Sequence, residues 1–225
     1  MKRREFTAAL SVLSVPLLPA TARAGLSEGD AATGVRVALE RGALAAVMVL
    51  GRTDGFLGNP QVRIALPGFL KDASKLLRAA GQGRKLDELV TAMNRAAELA
   101  VPMAKPLFVS TVKAMSVEDA LKIVRGGATS VTDYFAAKTR APLGEKFLPI
   151  VTQATEKVSL AARYNAVASK AQSLGLVKGD EANVQQYVTA RALDGLFLMI
   201  GEEEKKIRAD PVKTGSAILR KVFGG

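Results

Sequence analysis

Residues 187–211, YVTARALDGLFLMIGEEEKKIRADP, decide how this chain folds. Leu193, Phe197 and Ile200 fall three or four positions apart, which lines them up on one face of an α-helix. The spacing predicts one long helix that starts from a cap at Asp180, runs to Arg208 and stops at Asp210-Pro211. Glu202 to Lys206 is acidic, then basic. With Glu202 facing Lys206 and Glu204 facing Arg208 at i, i+4, each acid on the N-terminal side, this block reads as a solvated ion-pair ladder and not as a cation site. Asp194 is set among apolar letters near the middle of the helix, where an unpaired buried carboxylate is costly. Arg191, one turn back, is its expected partner. The two are read either as a structural buried pair or as a raised-pKa acid in a ligand cavity.

Working outward, the same helical spacing recurs almost everywhere. One helix follows Ser27 through Val35, Leu39, Ala46 and Leu50 to Gly51, and a second runs from Pro67 to Gly81. A third starts near Lys85 and is broken or kinked by Pro102 and Pro106, which lack an amide proton and clash with the preceding turn. Helices are further expected over 107–115, 117–125 and 131–138, from Pro142 to Val158, from Leu160 to a stop at Gly175, and in a short amphipathic tail over 218–223. Ser27/Asp30, Ser116/Asp119 and Ser130/Asp133 repeat the S-x-x-D spacing of helix starts. In GNPQVRIALP alone, Val62, Ile64 and Leu66 alternate with Gln61, Arg63 and Ala65, so residues 61–66 should form one short extended segment. Its edges need partners, either the chain near Gly51 to Leu57 or the helices beneath it. The expected fold is all-α, a single domain over residues 25–225 of about eight to ten helices.

The first residues carry a different signal. Lys2, Arg3 and Arg4 precede an apolar stretch over 8–18, and Ala22-Arg23-Ala24 puts small residues where a signal peptidase reads. Arg3-Arg4-Glu5-Phe6 fits the twin-arginine pattern, so residues 1–24 are expected to be a cleavable signal and the protein to work in the periplasm after cleavage at Ala24. Helical chains rich in local contacts fold fast, which suits an exporter of folded proteins. The apolar run is too short for a transmembrane span. Removing these residues takes away four of the 32 cations and one of the 21 anions, leaving 28 against 20, a net charge of +8. On an exported protein that charge favours anionic lipid, acidic glycan or an acidic envelope protein. No dense Lys/Arg run with interleaved aromatics points to nucleic acid.

The chain has no histidine and no cysteine. That rules out Ser-His and Cys-His nucleophiles, an imidazole base, a disulfide framework and a zinc site of the usual kind, and no cofactor is implied. Acid-base work would fall to carboxylates, lysine, tyrosine or serine. In MNRAAE, Asn94, Arg95 and Glu98 share one helical turn, as a surface pair or as one wall of a polar pocket. In GGATSVTDYF, amides after Gly126-Gly127 could hold an anion beside Lys122 and Arg125, although helix caps explain the same letters. Gly81-Gln82-Gly83 follows a helix, which excludes a dinucleotide fingerprint.

With GRTDGFLGNPQVRIALP, MNRAAELAVPMAKPLF, GGATSVTDYF and YVTARALDGLFLMIGEEEKKIRADP in this order, the chain resembles the exported bacterial family known as domain of unknown function 4197, from LSEGDAATG to KVFGG. The resemblance implies a mainly helical envelope protein with no assigned activity, and so brings no established functional residues. Asn94, Arg95, Glu98, Tyr134 and Asp194 lie in the matching blocks; with Arg191 they are the candidate binding residues. The chain departs from the family pattern at Ala128-Thr129-Ser130, where acidic residues are common, and this weakens an anion site at the Gly126-Gly127 turn. The expected role is non-enzymatic binding of a small amphipathic ligand, an anionic envelope component or a protein partner. The alternative is a cofactor-free envelope hydrolase using Asp194 or Glu98.

Overall fold

The computed structural model describes residues 27–156, 159–173, 175, 181, 183–210 and 213. The expected signal over residues 1–24 and the tail over 218–223 lie outside them. Among the described residues the chain is helical with no strand: α1 (Glu28–Leu50), α2 (Lys71–Ala79), α3 (Gly83–Ala100), α4 (Ala104–Lys113), α5 (Val117–Arg125), α6 (Ser130–Glu156), α7 (Ser159–Ser173) and α8 (Val184–Ala209). Short 3-10 turns precede α2 at Gly68–Leu70 and join α3 to α4 at Val101–Met103. None of the described helices is long and apolar enough to cross a membrane.

Local chemistry sets several boundaries. Ser27 Oγ accepts the Asp30 amide at 3.0 Å and starts α1. At α5 the cap is reciprocal, since Ser116 Oγ accepts from the Asp119 amide at 3.0 Å and the Asp119 carboxylate accepts from the Ser116 amide at 3.4 Å. The turns after α2 and α7 pass through Gly81 (φ 77°) and Gly175 (φ 71°), the left-handed conformation that glycine adopts without penalty.

Three expectations need correction. Residues 131–138 and 142–156 are not two helices but the single α6, with Pro142 and Pro149 inside it. Each proline frees the carbonyl four residues back, on Lys138 and Glu145, and both are exposed residues, so water can take the place of the lost helical bond. The cap of α8 is Asn183, whose side-chain oxygen accepts the Gln186 amide at 2.7 Å, in place of Asp180. Ser130 is no N-cap; its hydroxyl turns back to the carbonyls of Ile123 (2.9 Å) and Gly127 (3.0 Å).

α8 packs against α6 and α1, and α6 packs against α3, so these four long helices enclose the core; α4 and α5 close it beside α1, and α2 and α7 lie against α3. In the core, Phe108 meets Phe135 at a tilt of 52°, with ring centroids 4.9 Å apart, and Phe197 edge-on at 6.4 Å. Burying each such ring contributes about 1.5–3 kcal/mol. Among the described residues the buried members of this core run from Ala32 to Ile200.

Candidate functional site

The connection over residues 51–67 has no regular structure and is held by α3. Asn94, fully buried, accepts from the Ile64 amide and donates to the Ile64 carbonyl, both at 2.8 Å, which are the two bonds a neighbouring strand would supply. This is how the extended segment satisfies its edge: Val62 and Ile64 point inward, Arg63 and Ala65 outward, and the partner is a side chain across the helices, not the chain near Gly51 to Leu57. Glu98, also buried, accepts the amides of Phe56 (3.0 Å) and Leu57 (3.1 Å) and pairs with Arg95 at 2.7 Å. Arg95 reaches on to Asp54 at 2.8 Å, the residue whose φ of 63° lets the loop turn. The hydrogen bonds that Arg95 donates to Glu98 and then to Asp54 hold its pKa above the usual value. Gly55 is required there, because a Cβ would come within 2.4 Å of the Leu50 carbonyl oxygen.

The outer side of the same segment forms a groove with α8. Tyr187, Arg191, Asp194 and Leu198 recur at i, i+4, i+7 and i+11 along one stripe of the helix, and face Gln61, Arg63 and Ala65 across a volume of about 280 Å³. The Tyr187 hydroxyl donates to the Ala65 carbonyl at 2.9 Å and ties the two walls together. At the floor, a Cβ on Gly195 would sit 2.8 Å from the Phe56 ring, so only glycine lets segment and helix approach this closely. Asp194 is not buried as its apolar neighbours suggested: its side chain is 40% exposed. The apolar run LFLMI covers the inward stripe and one outward position, Leu198, while Asp194 faces out with Arg191. Arg191 pairs with it at 3.1 Å, as the spacing anticipated, and Arg140 of α6 adds a second contact at 2.6 Å. The two guanidiniums also lie over rings, Arg191 at 5.7 Å from the Tyr187 centroid and Arg140 at 5.3 Å from Phe197.

A family model for a protein of unknown function matches residues 25–224. The chain belongs to the DUF4197 family. No curated protein and no solved structure matches it.

In this DUF4197 protein the six candidate residues divide three ways. Arg191 and Asp194 line the groove. Asn94, Arg95 and Glu98 sit behind its extended wall and hold the loop in place. Tyr134, on the first turns of α6, does not line the groove; burial and then the Asp119 carboxylate push its pKa up, and Lys138 lies 6.0 Å from its ring. Gln61, Arg63, Tyr187, Leu198 and Arg140 were missed. The stripe through Tyr187 and Leu198 was readable from helical spacing, whereas nothing in the letters brings Arg140 to Asp194.

The acidic block is not a simple solvated ladder. Glu202 pairs with Lys205 and Glu203 with Lys206 at i, i+3, and Glu204 turns inward. Its carboxylate accepts the amides of Val131 (3.1 Å) and Thr132 (3.0 Å) and the Thr132 hydroxyl (2.9 Å), and pairs with Arg208 at 3.0 Å. The first amides of α6 after the Gly126-Gly127 turn are therefore filled by the protein's own carboxylate, which removes the anion site considered there. Among the described residues no group of three or more acidic side chains is arranged to hold a metal.

Proposed function

We propose that this DUF4197 protein is exported to the periplasm by residues 1–24 and acts by binding, its groove between residues 61–65 and α8 taking a small amphipathic molecule with an anionic head. The observation that carries the reading is the charge balance at an open, partly apolar site. Arg63 and Arg191 of the groove, with Arg140 beside it on Asp194, stand against the single carboxylate of Asp194, and the exposed Leu198 supplies apolar surface. An incoming phosphate or carboxylate can share a guanidinium with Asp194 through charge-assisted hydrogen bonds while its tail covers Leu198. Hydrolysis by paired carboxylates is less well supported: Asp194 is the only acid among the groove-lining residues, and the oxygens of Glu98 are already engaged by Phe56, Leu57 and Arg95.

Native mass spectrometry of the protein, followed by calorimetric titration with dodecyl phosphate and with dodecanol, tests the reading. Dodecyl phosphate should bind, dodecanol should not, and Arg191→Ala should weaken binding by about tenfold or more, the loss of one charged hydrogen bond. No retained molecule and no heat with dodecyl phosphate would refute it. Replacing Arg3-Arg4 by Lys-Lys should abolish export, and continued export by the same route would refute the location.

A further inference from the structure

Away from the groove, one stripe along the end of α3 and α4 combines exposed apolar side chains with cations. Leu99, Met103, Pro106, Ser110 and Lys113 follow at three- and four-residue steps from the end of α3 through the 3-10 turn and along α4, while Ala100, Ala104, Phe108 and Val112 turn into the core. Leu99 is 63% exposed and Met103 44%, and Pro102, Lys105 and Pro106 beside them are also exposed. Lys105, Pro106, Val109, Ser110 and Lys113 border a shallow hollow of about 500 Å³. From Leu99 to Val117 the chain has no carboxylate, and its two charged groups are Lys105 and Lys113. Neither lysine is in an ion pair among the described residues.

We propose that this face docks on a bilayer surface containing anionic lipid, with Leu99, Met103, Pro106 and Val109 against the headgroup–acyl boundary and Lys105 and Lys113 on lipid phosphates. Lysine suits this role because its four-carbon stem lies along apolar surface while the ammonium stays at headgroup level. A protein partner fits less well. Interfaces between proteins draw their strength from tryptophan, tyrosine and arginine anchors, and this stripe exposes none, its one aromatic, Phe108, being buried. The proposal does not rest on the groove, which uses other residues.

Cosedimentation of the purified protein with vesicles of mixed phosphatidylcholine and phosphatidylglycerol, and with pure phosphatidylcholine, tests it. Binding should require phosphatidylglycerol and fall in high salt. Each lysine near such a surface is worth about fivefold in partitioning, so Lys105→Glu with Lys113→Glu should weaken binding by at least about 25-fold. Arg84→Glu with Lys85→Glu, the same change of net charge elsewhere on the surface, should stay within about threefold of the parent, because distant charges are screened. Leu99→Asn with Met103→Asn should lose about tenfold through the apolar contact alone. All four positions on the face are exposed, so circular dichroism and melting temperature should match the parent. Absence of binding to the phosphatidylglycerol vesicles overturns the proposal, as does equal loss in the Arg84/Lys85 variant. Unchanged binding in the Leu99/Met103 variant, or full competition by inorganic phosphate, points to a plain anion or an acidic partner and overturns it too.

Discussion

Glu204→Ala should destabilise the fold far more than Glu202→Ala, although the two acids lie two positions apart in one charged block. The Glu204 carboxylate is 4% exposed and serves two groups at once: the first turn of α6, where it accepts from Val131 and Thr132, and Arg208, whose side chain is 18% exposed. Removing it leaves two helix-start amides without their acceptor and a largely buried guanidinium without its counter-charge. Breaking one side of a buried pair costs about 3–5 kcal/mol. Arg208 keeps the Ile123 carbonyl at 3.2 Å and the Ser130 hydroxyl at 2.8 Å, so the lower end, about 3 kcal/mol, applies. For a domain of this size, that corresponds to a fall in melting temperature of about 6–12 °C. Glu202 makes only a solvent-exposed pair with Lys205, and its removal should leave the midpoint unchanged within error. Thermal melts followed by far-ultraviolet circular dichroism separate the two cases. A Glu204→Ala midpoint within about 2 °C of the parent would refute the capping role.

Asn94→Ala should cost about 3 kcal/mol, because the buried Ile64 amide and carbonyl both lose their partner, and the Ile64 amide should lose hydrogen-exchange protection. Unchanged protection would show that the segment is held by something else. Gly195→Ala places a methyl 2.8 Å from the Phe56 ring and 3.1 Å from Val62, an overpacking of about 1–3 kcal/mol that outweighs the gain in helix propensity; a raised melting temperature would contradict it. The Ser116 hydrogen bond lowers the Asp119 pKa in the folded state, so on acidification the unfolded chain takes up the proton first. Its stabilising contribution is present above the ordinary aspartate range and is lost as pH falls through the folded value; Asp119→Asn should flatten that part of the stability–pH curve, and an unaltered acid limb would count against the cap.

What the letters disclosed was local. The bounds of α5 follow from Ser116, Asp119 and Arg125, all within one stretch, and the end of α7 from Gly175, because capping and left-handed turns act over three or four residues. The fusion of α6 was hidden: proline inside a helix is costly in general, and only the exposure of Lys138 and Glu145 in the folded molecule makes Pro142 and Pro149 tolerable there. The Glu204–Arg208 pair is legible from its i, i+4 spacing, but the other partners of Glu204, and those of Asn94, are hidden for a related reason. Each of these two looks like a polar residue on a helix surface, and its role depends on a partner 30 or 73 positions away in sequence. Asp194 shows the converse, since an apolar neighbourhood in sequence placed it inside, whereas helical rotation points it outward beside Arg140.

The lid on the start of α6 also sets a clock for the ribosome. Residues 130–132 leave the exit tunnel long before the acid that closes over them, and the 73-position gap between Val131 and Glu204 takes roughly 4–15 s to translate at about 5–20 residues per second. For that interval the nascent polypeptide holds an unfinished helix start. The fastening arrives only with α8, so a prematurely terminated product lacking it should remain unlatched and open to proteases.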